Sequence, residues 1–458
     1  MTDVEMPVGP LKVCSDNPRY LATPDGRAVY LTGSHTWACL QDRLLPETPI
    51  FDYSVWLDMM EQCGHNFLRL WVWEQAAWMQ FTERKVKYGP NRYKRTGPGE
   101  ALDGGPKFDL TQFNEDYFDR LRSRVVAAGK RGIYVGVMMF QGFSLDKRLK
   151  KPGGNAFDGH PMNAANNING IDGDSDGDET GFGVHRLDVP EVTKLQEAYV
   201  ARVIDALNDL DHVVWEISNE SRTDSVEWHY HLIDFIHSYE SKKPKQHVVG
   251  MTGSPIPNEP LYESAAEWIS PRGKEYRSDP PEADGSKVII FDTDHTGHAN
   301  ANPKCPWRCM ARGMSFIAMD YYMDARPGSP SAPMPEWDEI RIQMGYARRY
   351  AERMDLNRAV PRSGLSSSGF CLAEEGTSYL VYLPDGGDVK VDLSGGTGTF
   401  KAEWFSPRKG EVVGECEVEP SMVEMTTPFE GDAVLFLESV VSSLDSRFRG
   451  NDTRRERE

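Results

Sequence analysis

The chain has 458 residues, room for one large domain and a smaller companion, far above the length at which burial of a core becomes marginal. Lys and Arg total 51 against 70 Asp and Glu, and the formal charge of −19 argues against nucleic acid or an anionic membrane as partner and favours neutral or cationic ligands. No run of about 18 apolar residues exists, no basic-then-apolar leader opens the chain, and the seven cysteines are scattered, so a cytoplasmic protein with reduced thiols and no membrane span is expected.

The first expected strand is 28–32 (Ala-Val-Tyr-Leu-Thr), between the turn Pro24-Asp25-Gly26 and the polar, aromatic cluster Gly33-Ser34-His35-Thr36-Trp37. Residues 53–63 have helical spacing (Val55, Met59, Met60, Cys63) and stop at Gly64. A second strand follows over 66–74 (Asn-Phe-Leu-Arg-Leu-Trp-Val-Trp-Glu), with a single cation, Arg69, inside it. A buried Arg requires a carboxylate partner, so Arg69 either holds an active-site acid in its ionised form or makes a structural salt bridge. Residues 79–107 are polar and rich in Gly, Lys and Arg, and read as a loop with little regular structure. An amphipathic helix over 113–130 leads into the strand 133–140. A second long insert covers 144–185, and the helix 190–210 repeats apolar residues at three and four.

Val213, Val214, Trp215 and Ile217 then make a short run suited to a buried parallel strand, which breaks into Ser218, Asn219 and Glu220. A helix at 227–239, strands at 247–251 and 267–270, and a strong strand at 287–292 follow. That last strand ends in Asp292-Thr293-Asp294-His295, with His298 close behind. Residues 313–320 form the eighth strand, leading to Tyr321 and Tyr322, and the helix 340–354 closes the unit. Strands alternating with helices predict an α/β fold, a (β/α)8 TIM barrel, for 1–360. After Pro361, short strands at roughly ten-residue spacing, with turns at Asp385-Gly386-Gly387 and Arg408-Lys409-Gly410, predict a small C-terminal antiparallel β-sandwich over 361–440. Residues 441–458 are charged and expected to be a disordered tail.

In a barrel of this kind the C-terminal ends of the strands converge on the ligand. Glu220 after the fourth strand and Asp292 and Asp294 after the seventh therefore face each other across one rim. Such a pair suits glycoside cleavage, in which one carboxyl protonates the leaving oxygen. The other attacks the anomeric carbon from about 5–5.5 Å away or activates water at about 6.5–9.5 Å. Asp292 follows the apolar run directly and is preferred to Asp294, with capping of the next helix as its alternative role. Glu216 sits inside an apolar run and reads as buried and structural. His35, His295, His298, Asn219 and Glu74 are candidates for orienting a carboxylate or binding sugar hydroxyls. Trp37, Trp71, Trp73, Trp78, Tyr321 and Tyr322 are candidates for stacking on sugar rings, with part of the set serving as core.

Asp172, Asp174, Asp176 and Asp178 match the first half of an EF-hand loop, but Gly183 stands at position twelve. The alternatives are a structural calcium and a solvated acidic loop. No other cofactor is expected.

The pair Asn219-Glu220 resembles the acid/base signature of the clan of retaining (β/α)8 glycoside hydrolases that includes cellulase-like enzymes. In that clan a strand-seven carboxylate is the nucleophile and a strand-two Arg holds it, positions matched here by Asp292 and Arg69. More narrowly, Asn17-Pro18-Arg19-Tyr20-Leu21, Gly33-Ser34-His35-Thr36-Trp37, Phe67-Leu68-Arg69-Leu70-Trp71 and the closing β-domain resemble the apiosidase-like glycoside hydrolases. The resemblance spans 15–438 and implies an oligosaccharide or polysaccharide substrate. The clan's usual nucleophile is Glu, so an Asp here implies an advanced backbone, reaction through Asp294, or an inverting distance. Two other readings stay open: a metal-dependent hydrolase built on Asp292, Asp294, His295 and His298, and a carbohydrate-binding protein without turnover.

Overall fold

The structure, a computed structural model, describes residues 8–44, 50–79, 85–145, 155–174, 176–178, 180–296, 302–320, 322 and 335–440. Eight parallel strands form one sheet: β1 (Thr32–His35), β2 (Phe67–Leu70), β3 (Tyr134–Gln141), β4 (Val213–Asn219), β5 (Val249–Thr252), β6 (Trp268–Ser270), β7 (Val288–Asp292) and β8 (Ser315–Met319). Their order, β1-β8-β7-β6-β5-β4-β3-β2, is that of a (β/α)8 barrel. The ring closes between β1 and β2 through Asn66, whose backbone N–H donates to Thr32 O (3.0 Å) while its Oδ1 accepts from Thr32 N (2.9 Å). Gly33 is required there, because a Cβ on it would lie 1.9 Å from Phe67 O.

Every residue of β3, β4, β7 and β8 is buried, as expected of parallel strands covered on both faces. Helices α1 (Tyr53–Gln62), α2 (Glu115–Gly129), α3 (Pro190–Leu207), α4 (Val226–Glu240), α5 (Asn258–Glu263), α6 (Cys305–Ala311) and α7 (Asp338–Ala351) wrap the outside. None of the described helices is long and apolar enough to cross a membrane.

Two expectations are corrected. Ala28–Val29 belongs to a small antiparallel sheet with Lys12–Val13 and Leu21–Ala22, and the first barrel strand starts four residues later than the predicted one, at Thr32. Thr-Gly-Ser-His has no apolar run, and its strand conformation comes from pairing with β8, Thr32 against Phe316 and His35 against Met319. The stretch 79–107 is not structureless. It contributes Lys87–Gly89, paired with Asp42–Leu44, and Tyr93–Glu100, which forms a hairpin with Pro106–Phe113. Side chains of the second insert hold that hairpin, with Asn166 Oδ1 accepting from Leu102 N and Asn169 Oδ1 from Leu110 N, each at 2.8 Å.

The C-terminal β-sandwich has unequal sheets. Six strands, in the order Val360–Pro361, Cys371–Glu374, Ser378–Leu383, Ala433–Ser439, Phe400–Ser406 and Glu411–Val418, form one layer, and Asp388–Asp392 with Met422–Thr426 form the other. Val389 and Val391 of the ribbon share a core with Ala373, Val381 and Leu435. The opposite face of the large sheet, with Leu380, Tyr382, Phe405 and Phe436, is buried against Trp307 of α6 and Tyr350 of α7. Gln343 of α7 reinforces the seam, donating from Nε2 to Pro407 O at 2.7 Å. The tail 441–458, expected to be disordered, lies outside the described residues.

Candidate active site

Arg69 projects from β2 into the barrel and is buried. Its guanidinium forks onto Glu216 of β4, with Nε donating to Oε2 at 2.6 Å and Nη2 to Oε1. Nη2 also donates to Asn219 Oδ1 (2.7 Å), and Nη1 to Asp292 Oδ2 (2.9 Å). The planar, multi-donor group is the one side chain able to serve three acceptors from two strands at once. The same guanidinium thus makes a buried salt bridge to Glu216 and pairs with Asp292.

Asp292, at the end of β7, is fully buried, and both its oxygens are occupied. His35 Nε2 donates to Oδ1 at 2.9 Å, the Asp294 backbone N–H donates to the same oxygen at 2.9 Å, and Arg69 takes Oδ2. Burial alone would raise its pKa, but His35 and Arg69 outweigh it and hold the carboxylate ionised, well below the usual range. Asp294 shows the opposite behaviour. Burial first, and the charge of Asp292 second, push its pKa up to about 6, with His35, Arg69 and the Asn219 side chain only partly offsetting them. One tenth of its side chain reaches solvent, and its Oδ2 lies 4.0 Å from Arg69 Nη1 with no hydrogen-bond partner among the described residues. One guanidinium facing three acidic side chains leaves the third incompletely compensated, so Arg69 offsets only part of the cost of burying it.

His295 is held neutral, its pKa lowered to about 3 chiefly by burial. Ser270 Oγ therefore donates to its Nδ1 (3.0 Å) and its Nε2 donates to Asn219 Oδ1 (3.2 Å). Asn219 in turn donates from Nδ2 to Gln141 Oε1 of β3 (3.2 Å). Asn219 thereby links the ends of β2, β3, β4 and β7.

Glu220 follows directly, half-buried, and lines a cleft of about 380 Å³ with Gly142, Phe143, Phe182, Arg222 and Ser254. The lining of this cleft includes neither Asp292 nor Asp294, and Asn219 is what connects it to the Arg69 cluster. Glu74 lies deeper. Its Oε1 accepts from Gln141 N (2.8 Å) and from His185 Nε2 (2.9 Å), and Arg92 stands 3.5 Å from Oε2. Burial opposes its charge, but His185 and Arg92 keep it ionised, well below the usual range.

Trp71 stacks on His35 (5.3 Å between centroids, 9° between planes), and its ring lies 5.4 Å from the Arg69 guanidinium. Trp73 donates from Nε1 to Trp37 O at 2.8 Å. Trp37, Trp71, Trp73 and Trp78 are all buried, and Trp71 is the one that packs on His35 and Arg69 of the cluster. Tyr321 and His298 lie outside the described residues. His185, Ser221 and Gln141 were not picked out by sequence reasoning. His185 stands in a polar insert, and only its position in space marks it.

Among the described residues one group brings three metal-type side chains within 4.8 Å of one another, namely Asp174, Asp176 and Asp178. Asp172 stands outside it, its Oδ1 accepting from Asp174 N (3.2 Å), while Arg186 Nη2 donates to Asp176 (2.8 Å). Among the described residues Asp292, Asp294 and His295 do not make such a group, and Arg69 Nη1 stands 2.9 Å from Asp292 Oδ2 and 4.0 Å from Asp294 Oδ2.

Residues 51–255 match the family described as "Domain of unknown function (DUF6298)", and residues 366–438 match the one described as "Putative collagen-binding domain of a collagenase". Among curated proteins none matches the chain. Solved structures share its fold. A glycoside hydrolase family 5 protein from Bacteroides vulgatus superposes with a TM-score of 0.63 at 16% identity, over 95% of this chain and 94% of the other. A structure titled "Glycoside hydrolase" gives 0.61 at 15% identity, over 95% and 99%. The class defined by fold is therefore a (β/α)8 barrel with an attached C-terminal β-domain.

Proposed function

We propose that the chain is a glycoside hydrolase of the cellulase-like barrel clan, with Glu220 as general acid/base and Asp294 as the attacking carboxylate. The observation that carries this reading is the Arg69 cluster. It leaves one of its carboxyls, Asp294, with a pKa near 6 and an oxygen bound by no described protein group. A carboxyl so placed can change protonation near neutrality, and the tenth of its side chain that stays exposed is where a ligand would meet it. Asp292, preferred on sequence, is the worse nucleophile because His35, Arg69 and the Asp294 N–H occupy both of its oxygens. Its role in this reading is to orient Asp294.

In the first step an Asp294 oxygen attacks the anomeric carbon while Glu220 gives its proton to the departing oxygen. In the second, Glu220 takes a proton from water, which displaces the Asp294 ester and releases the sugar with its configuration retained. Phe143, Phe182 and Arg222 border the cleft beside Glu220 and would meet the departing portion of the glycan. The narrower resemblance, to apiosidase-like enzymes, makes apiose-bearing pectin side chains the first substrates to test. The C-terminal domain acts as a brace, since one face of its large sheet is spent on α6 and α7 and the other on its own ribbon.

The test is a panel of plant and bacterial oligosaccharides, including those side chains, followed through the anomeric proton signals of the products. Release of a sugar whose first-formed anomer matches that of the substrate is expected, and turnover should survive a chelator. Binding without release would contradict the reading in favour of a carbohydrate-binding protein.

A further inference from the structure

The backbone at Glu220 is held in a conformation that residues with side chains rarely adopt. Its φ is +48°, in the left-handed region, and such a geometry persists where the surroundings impose it. Two sets of contacts do so. At the end of β3, a Cβ on Gly142 would lie 2.0 Å from Glu220 O and 2.8 Å from Ser221 N, so the two backbone segments touch. The second set runs through Ser221. Its Oγ donates to Ser218 Oγ (2.8 Å) and lies 3.0 Å from His185 Nδ1, and Ser218 Oγ donates to Asn219 O at 3.2 Å. His185 Nε2 donates to Glu74 Oε1 at 2.9 Å, and the imidazole stacks on Trp228 of α4 at 4.2 Å and 11°.

Ser, His and Glu in a row invite comparison with a nucleophilic triad. Here the serine is buried and its hydroxyl hydrogen goes to Ser218, so Ser221 is not presented to a substrate. What the row touches is the peptide of the proposed acid/base. Glu74 arrives just after β2, His185 from the short helical turn Phe182–His185 and Ser221 just after β4. Three distant segments are thus tied at the residue beside Glu220.

We infer that Glu74, His185 and Ser221 form a positioning relay that fixes the direction of the Glu220 carboxyl and so governs proton transfer to the leaving group. The inference rests on the role proposed for Glu220. The relay reaches Glu220 through the Ser221 backbone, whereas Asp294 lies beside Arg69 and Asp292 and meets the relay only at second hand, through Asn219. Loosening the relay therefore impairs protonation more than attack. A shift of about 1 Å in a reacting group costs about 100-fold in rate.

The experiment uses phenyl and 2,4-dinitrophenyl glycosides of the sugar that the panel above releases, since dinitrophenolate departs without a proton and phenolate does not. Ser221→Ala and His185→Gln should lose about 10- to 100-fold in kcat/KM on the phenyl glycoside and almost nothing in kcat/KM on the dinitrophenyl glycoside, since kcat/KM reports the step in which the leaving group departs and not the later hydrolysis that Glu220 also serves. Ser221→Thr, which keeps the hydroxyl, should restore the rate. Equal losses of kcat/KM on both probes, or wild-type kcat/KM on the phenyl glycoside for Ser221→Ala, would overturn the relay. Glu220→Gln separates the two claims. Full phenyl activity in that variant removes the role of Glu220 itself, whereas a loss there with none in Ser221→Ala removes only the relay. Hydrogen exchange across 218–222 gives a readout without substrate, and faster exchange in Ser221→Ala than in wild type is expected. Unchanged protection counts against the relay.

Discussion

Arg69 and Asp292 meet through a 2.9 Å hydrogen bond inside the barrel, on a guanidinium that also forks onto Glu216. One cation therefore fixes the ends of β2, β4 and β7 in a common frame. Arg69→Met leaves Glu216 and Asp292 buried without their counter-charge. Loss of one partner of such an ion pair costs about 3–5 kcal/mol, so urea unfolding should show a destabilisation of that size. A change below about 1 kcal/mol would mean that water replaces the guanidinium.

The two carboxyls of the seventh strand end predict opposite responses to pH. Asp294 has a folded pKa of about 6, above its unfolded value, so the folded state binds the extra proton and stability falls as pH rises toward and through 6. Asp294→Asn should remove that slope and raise stability at pH 7 by about 1–3 kcal/mol, while abolishing turnover. Asp292 is depressed, so its stabilisation is present above the usual carboxylate range and disappears as pH falls through its lower folded value. Thermal melts from about pH 1.5 to 8 on wild type and the two Asn variants check both signs.

Activity should follow the same group. As attacking carboxylate Asp294 must be ionised, so kcat/KM should rise with pH through about 6, with an alkaline limit set by the proton that Glu220 must still carry. A profile that falls through 6 would assign Asp294 the proton-donating role instead.

Gly142 admits no side chain beside Glu220. Gly142→Ala should displace that peptide and lower kcat at least about tenfold, with a stability cost of about 1–3 kcal/mol. Gly364→Ala, where nothing lies within 4 Å of the added carbon, is the matched control and should behave as wild type.

The barrel was legible because its central strands are buried on both faces. The runs ahead of Asn219 and Asp292 could be read as strands without knowing their neighbours, and each placed a carboxylate at the rim. Where identity comes from distant partners, sequence said less. Thr32–His35 is a strand through its pairing with β8, and Tyr93–Glu100, with its glycines and proline, is held by Asn166 and Asn169. The choice between Asp292 and Asp294 turned on which oxygens are already bonded, and the partners of Asp292 lie 257 and 223 residues away. His185 reaches Glu74 across 111 residues, and nothing local marks it.

The brace predicts shared unfolding. Phe405 lies 5.2 Å from Tyr350 of α7 and is buried in the seam. Phe405→Ala should cost about 3–5 kcal/mol and lower the melting of the barrel together with the β-domain in a single transition. Two separate transitions, with the barrel unmoved, would show the domains to be independent.

The most direct measurement is turnover by Glu220→Gln and Asp294→Asn on the best glycan of the panel, with circular dichroism confirming the wild-type fold. The account predicts that each substitution lowers kcat by about 1,000-fold or more while KM stays near the wild-type value. Near-normal turnover by either folded variant would contradict it.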